Sequence, residues 1–188
     1  MRWLNSLLGR TDPVEPDLDR LFALPAAAVT LQAATGLRPA GTAAVVFKPA
    51  TGAAFATTDT DLDQLVQLMA EGTQASVRRH DDAHGYRWIV LDDPDLDDQV
   101  TTIHAANRTL AERGFGHQLL CSVFAFTNGQ PCHLVYLYKR GTFYPFAPRD
   151  EPRRDTQLEL EVRGALASEL AVEDDLQRWF PLWGLPLP

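Results

Sequence analysis

Cys121, Cys132, His80, His84, His104 and His117 are among the side chains of this sequence whose chemistry could break a bond or hold a metal. A thiolate beside an imidazole is an activated nucleophile, so Cys121 with His104 or His117 would make a small cysteine-dependent hydrolase. The sequence around Cys121, "HQLLCSVFAF", carries no flanking signature of a cysteine hydrolase. The plainer reading makes these core or boundary histidines and a structural thiol. His80 and His84 frame "HDDAH", a spacing that would suit two metal ligands on a helix. Strand-like patterns flank this segment and Gly85 breaks it, so a solvated turn is expected. Asp92, Asp93, Asp95, Asp97 and Asp98 read as helix-capping carboxylates rather than a calcium site. "GFG" lacks the spacing of a nucleotide-binding loop. The expectation is no catalytic residue, no cofactor and no metal.

These side chains need elements to position them. Helical spacing is strongest between Asp95 and Arg113, where Leu96, Val100, Ile103, Asn107 and Leu110 share a face behind Pro94 and an acidic first turn. Earlier, Asp17 is expected to cap "LDRLFAL", with Pro25 opening a helix that Gly36 ends. "DTDLDQLVQLMAEG" reads as a capped helix presenting Leu62, Leu65, Val66 and Met69. A last helix covers about Pro152 to Leu170. Strand patterns occupy "TAAVVFK", "AAFAT", "QASVRRH", "YRWIVL", "HQLLCSVFAF", "HLVYLYK" and "TFYPF". Helices alternating with hairpins predict an α+β fold with antiparallel sheet in a single globular domain. The expected organisation is an N-terminal amphipathic helix and linker over 1–16, the α+β domain over 17–170 and an aromatic, Pro-rich tail over 171–188.

The stretch "LVYLYKRGTFYPFAPRDEPRR", Leu134 to Arg154, holds five aromatic rings and five Lys or Arg residues. A two-residue turn at Asn128-Gly129 would place Phe124 opposite His133 and Cys121 opposite Tyr136. A second at Arg140-Gly141 would place Tyr138 opposite Phe143 and Leu137 opposite Tyr144. The rings then become cross-strand pairs of a three-stranded meander, with Pro145 confining its last strand to a sheet edge. In this register Cys132 faces Ala125, leaving the two cysteines roughly 13 Å apart along the strand. That exceeds disulfide reach, so both are expected as free thiols, in keeping with a reducing compartment.

The remaining charge of that stretch, Lys139 and Arg140 above all, suits an acidic protein partner or an anionic membrane surface. Nucleic acid is not expected, because a formal net charge of −8 repels phosphate backbones. No run approaches the apolar length of a membrane span, and no signal-peptide core is present, which predicts a cytoplasmic protein. Both ends carry apolar docking candidates. Trp3, Leu4, Leu7 and Leu8 lie at helical spacing between Arg2 and Arg10, followed by the Pro-rich break "TDPVEP". Trp179, Phe180 and Trp183 load the tail with rings that would either close over the domain's own core or meet a partner.

Taken together, "LLGR", "LPAAAVTLQAATGLRPAGTAAVVFKP", "HGYRWIVL", "NRTLAERGFGHQLLCSVFAF", "LVYLYKRGTFYPFAP" and "RWFPLWG" resemble the PspA-associated protein B (PspAB) family across nearly the whole chain. The resemblance implies association with phage-shock protein A, a coiled-coil membrane-remodelling protein, and genomic proximity to an HtpX-type protease. It implies no catalytic residues. The expected function is that of a non-catalytic accessory protein of the envelope-stress response, peripheral at the inner face of the cell membrane. Two other readings stand beside it: the Cys121 hydrolase, and a chaperone-like binding domain without a membrane link.

Overall fold

The computed structural model describes residues 17–71 and 74–188. Six strands, β1 (Arg38–Phe47), β2 (Ser76–Asp81), β3 (Arg87–Asp92), β4 (Leu119–Thr127), β5 (Pro131–Leu137) and β6 (Thr142–Phe146), form one antiparallel sheet in the order β2-β3-β1-β4-β5-β6. Four α-helices, α1 (Leu24–Thr35), α2 (Ala53–Ala70), α3 (Leu96–Leu110) and α4 (Thr156–Leu166), supply the helical part of an α+β domain. A 3-10 turn, Leu18–Ala23, leads into α1.

Alternation along the strands sends side chains to two faces, and each face has its own core. Ala43, Val45, Phe47, Phe124 and Phe126 pack beneath the helices, meeting Leu31 of α1, Leu62 and Val66 of α2, Ile103 of α3 and Val162 of α4. Ala44, Val46, Val90, Val123, Val135 and Phe146 form the second face. Among the described residues no α-helix contributes to that core. The C-terminal tail does, through Trp179, Leu182, Trp183, Leu185 and Leu187. The tail also finishes the β6 edge: the Phe143 N–H donates to the Ala171 carbonyl at 2.8 Å, and the Glu173 N–H donates to the Phe143 carbonyl at 2.7 Å. An edge strand closed in this way offers fewer unpaired groups to other chains.

The helix from Asp95 follows its sequence pattern closely. The Asp95 carboxylate accepts from the Asp97 N–H at 2.8 Å and the Asp98 N–H at 3.3 Å, and Leu96, Val100, Ile103, Asn107 and Leu110 are buried. The meander β4-β5-β6 also forms, with Pro145 in its edge strand. The pair β2-β3 turns through Asp82, whose carboxylate accepts from the N–H groups of His84 and Tyr86.

Other expectations are corrected. "AAFAT" is not a strand but the first turn of α2. Its apolar residues continue a helical rather than a strand period, since Phe55, Thr58, Leu62, Val66 and Ala70 line one buried face. The hydroxyls of Thr57, Thr58 and Thr60 donate to carbonyls four residues back, so these residues need no strand partner. The first hairpin closes on three residues, 128–130, not two. Cys121 therefore faces Leu137, Phe124 faces Leu134 and Cys132 faces Phe126. The second closes at Leu137↔Thr142, which pairs Tyr136 with Phe143 and places Tyr138 in the turn. Asp17 makes no capping hydrogen bond; its carboxylate binds Arg20 instead. The last helix begins only at Thr156, capped by Asp155, and ends at Leu166.

Candidate interaction surfaces

The hydrolase constellation does not assemble. Cys121 is buried in the core of the second face, whereas His104 sits on α3, which packs against the other face. The His104 Nε2 lies 3.0 Å from Asp19 and its ring stacks on Phe22, 4.6 Å between centroids. His117 is exposed and bonds the Gln118 amide at 3.1 Å. Burial alone pushes the Cys121 thiol up to about 12, so thiolate is scarce at neutral pH. Burial, reinforced by Glu159 and Asp155, does the same for Cys132. Both are free thiols and lie in different cores. Among the described residues no three His, Cys, Asp or Glu side chains gather where they could hold a metal ion.

The arginines at the end of the meander each have an ion-pair partner within the chain. Arg140 pairs with Glu173, whose carboxylate also accepts from the Thr142 hydroxyl at 2.9 Å. Burial opposes ionisation of Glu173, but the hydrogen bonds from Arg140 and Thr142 outweigh it and hold the carboxyl below its usual range. Arg154 binds buried Glu159 at 2.7 Å, donates to the Trp179 carbonyl at 2.7 Å and lies 5.2 Å from the Phe146 ring centroid. Arg149 pairs with Asp155, and Arg153 with Asp150. Arg140 is thus ion-paired to Glu173 while its side chain stays 41% exposed. Lys139 is exposed in the same turn.

The tail rings divide. Trp179 is only 5% exposed, and its indole N–H donates to the Glu173 carbonyl at 3.0 Å, so it is a core residue. Trp183 is partly buried edge-on to Phe146, 5.1 Å between centroids. Phe180 remains 58% exposed. Trp3, Leu4, Leu7 and Leu8 lie outside the described residues.

One surface was missed from the sequence. Helix α1, "LPAAAVTLQAAT", contains no charged residue. Leu24, Ala27, Ala28 and Leu31 are buried. Phe22, Ala26, Val29 and Ala33, spaced by four, three and four residues, run along the opposite side and are all exposed. Val29 is 71% exposed and Phe22 49%. Exposed faces of surface helices are ordinarily charged or polar. This one is flanked by carboxylates instead: Asp19 at the Phe22 end, and Glu169, which accepts from the Thr30 hydroxyl, further along. The signal was available as a helix-length run with an apolar residue on every side.

The model of the family PspA associated protein B matches residues 1–187. The chain belongs to the PspAB family. No curated protein and no solved structure matches it. PspAB is not a known enzyme family, and its name denotes association with PspA. Among the described residues of this PspAB chain, no helix is long and apolar enough to cross a membrane.

Proposed function

We propose that this PspAB protein is a non-catalytic accessory protein that binds phage-shock protein A in the envelope-stress response, at the cytoplasmic face of the membrane. The family name supplies the partner. The observation that carries a binding role is the exposed side of α1, a helix without a charged residue, continued by exposed Phe22 of the 3-10 turn, in a chain where 22% of residues are charged. Its four apolar positions, spaced by four, three and four, offer the kind of stripe that a second amphipathic helix packs along. The acidic flanks favour a helix with basic residues beside its apolar seam. Lys139 and Phe180 remain exposed and stand as secondary contacts.

The test is direct association of the two purified proteins, followed by calorimetry or light scattering. A stable complex formed without lipid is expected. Absence of binding at high micromolar concentration, with both proteins folded, would reject the reading.

A further inference from the structure

We propose that residues 181–188 form a releasable strap on the second face of the sheet, which is thereby a binding surface filled by the chain's own end. The tail is fastened in two different ways. Its first part, residues 171–180, is tied to the fold by hydrogen bonds. The Phe143 N–H and carbonyl pair with Ala171 and Glu173, and the Trp179 indole donates to the Glu173 carbonyl. Arg154 donates to the Trp179 carbonyl at 2.7 Å, and the Tyr144 hydroxyl donates to the Phe180 carbonyl at 2.9 Å. There the ties stop. Among the described residues no hydrogen bond or ion pair joins residues 181–188 to the rest of the chain.

Apolar contact alone holds the strap. "PLWGLPLP" has no charged side chain, and Leu182, Trp183, Leu185 and Leu187 rest against the core of the second face. Trp183 meets Phe146 edge-on, with 5.1 Å between centroids. All four side chains are only partly buried, whereas Val90, Val123 and Val135 of the face itself are fully buried. Pro181, Pro186 and Pro188 have no N–H to satisfy and restrict the free segment, so docking needs no strand ladder and loses less chain entropy. Phe180 and Pro181 are exposed and mark the point where the fastening changes. An unsatisfied polar group also works against closure. His133 is buried on the same face, its ring 6.3 Å from Phe146, and its Nδ1 has no hydrogen-bond partner among the described residues. Water reaching that nitrogen when the strap lifts recovers part of the desolvation cost. A segment with few buried contacts and no hydrogen bonds to the fold opens well below the free energy of global unfolding.

The reporter is Cys121, a buried thiol of the second-face core, with Cys132 in the other core as the comparison. Native full-length protein is labelled with a small neutral maleimide at several urea concentrations below the unfolding transition, and each site is read by peptide mass mapping. Cys121 is expected to react at least about tenfold faster than Cys132, at a rate almost independent of urea, because lifting a strap exposes little surface. Equal rates that climb together with the slope of global unfolding would overturn the proposal. The second arm is full-length Leu185→Asp/Leu187→Asp, with the synthetic peptide PLWGLPLP as probe. This variant should label at Cys121 several-fold faster than wild type with Cys132 unchanged, and excess peptide should return Cys121 towards the wild-type rate. A variant that labels like wild type, or one that the peptide does not protect, would contradict a surface filled by the strap. If the variant fails to fold, the urea dependence of the wild-type rates decides alone.

Discussion

His133 faces the second core from β5, with its ring 6.3 Å from that of Phe146 and its Nδ1 without a hydrogen-bond partner among the described residues. Burial pushes the imidazole down to about 4 from an ordinary 6.5, so the folded chain holds it neutral. Between those two values the unfolded state binds the extra proton, and stability must fall as pH drops through the window. The shift corresponds to a loss of up to about 3 kcal/mol from pH 6.5 to pH 4. Urea titrations of wild type and His133→Leu at both pH values check this, since the variant should lack that part of the acid sensitivity. Parallel pH profiles would refute it. At the opposite edge, Lys139 and Arg140 are neighbours with different fates. Arg140→Glu puts a second carboxylate against buried Glu173 and should lower the melting temperature clearly, whereas Lys139→Glu should leave it unchanged. Equal melting temperatures for the two variants would contradict the ion-pair assignment. The sequence displayed both charges but not the partner of either, because Glu173 lies more than thirty residues away and arrives only when the tail folds back.

At the scale of elements, the tail does for one face of the sheet what four helices do for the other. Trp179→Ala should therefore cost about 3–5 kcal/mol, as loss of a packed aromatic does, while Phe180→Ala should stay within about 0.5 kcal/mol. Denaturant unfolding of the two variants distinguishes them, and similar midpoints would show that the tail is not core. The elements most legible in the sequence were those with strong local signals. Asp95 and the 3.6-residue period of Leu96, Val100, Ile103 and Leu110 defined α3, and Pro145 marked an edge strand. The registers were not legible. A three-residue turn and a two-residue turn at Asn128-Gly129 leave the same sequence signal, yet they shift every pair by one residue and move Cys132 from Ala125 to Phe126. "AAFAT" was ambiguous for another reason: five residues are too few to separate a strand from the first turn of a helix.

For the molecule as a whole, a sheet with a helical layer on one face and a tail on the other leaves exposed apolar side chains among the described residues at Leu68, Leu160, Leu176 and Phe180, and an aligned set of them along the 3-10 turn and α1. The candidate surfaces chosen from sequence were the most conspicuous clusters of rings and charges, and folding used many of them internally. Trp179 is buried in the core, Arg154 is ion-paired to buried Glu159, and Arg140 is paired to Glu173 at the surface. The proposed docking surface was harder to see because alanine and valine announce nothing by type; only their exposure does. The measurement that tests this account most directly is the affinity of purified phage-shock protein A for full-length wild type, Val29→Glu and Lys139→Glu. Val29 is largely exposed, so the charge should leave the melting temperature of the free protein near that of wild type. A carboxylate buried in an apolar helix seam costs enough to weaken the complex more than tenfold. The account predicts that loss for Val29→Glu, with Lys139→Glu close to wild type. Wild-type affinity in a folded Val29→Glu variant would contradict it.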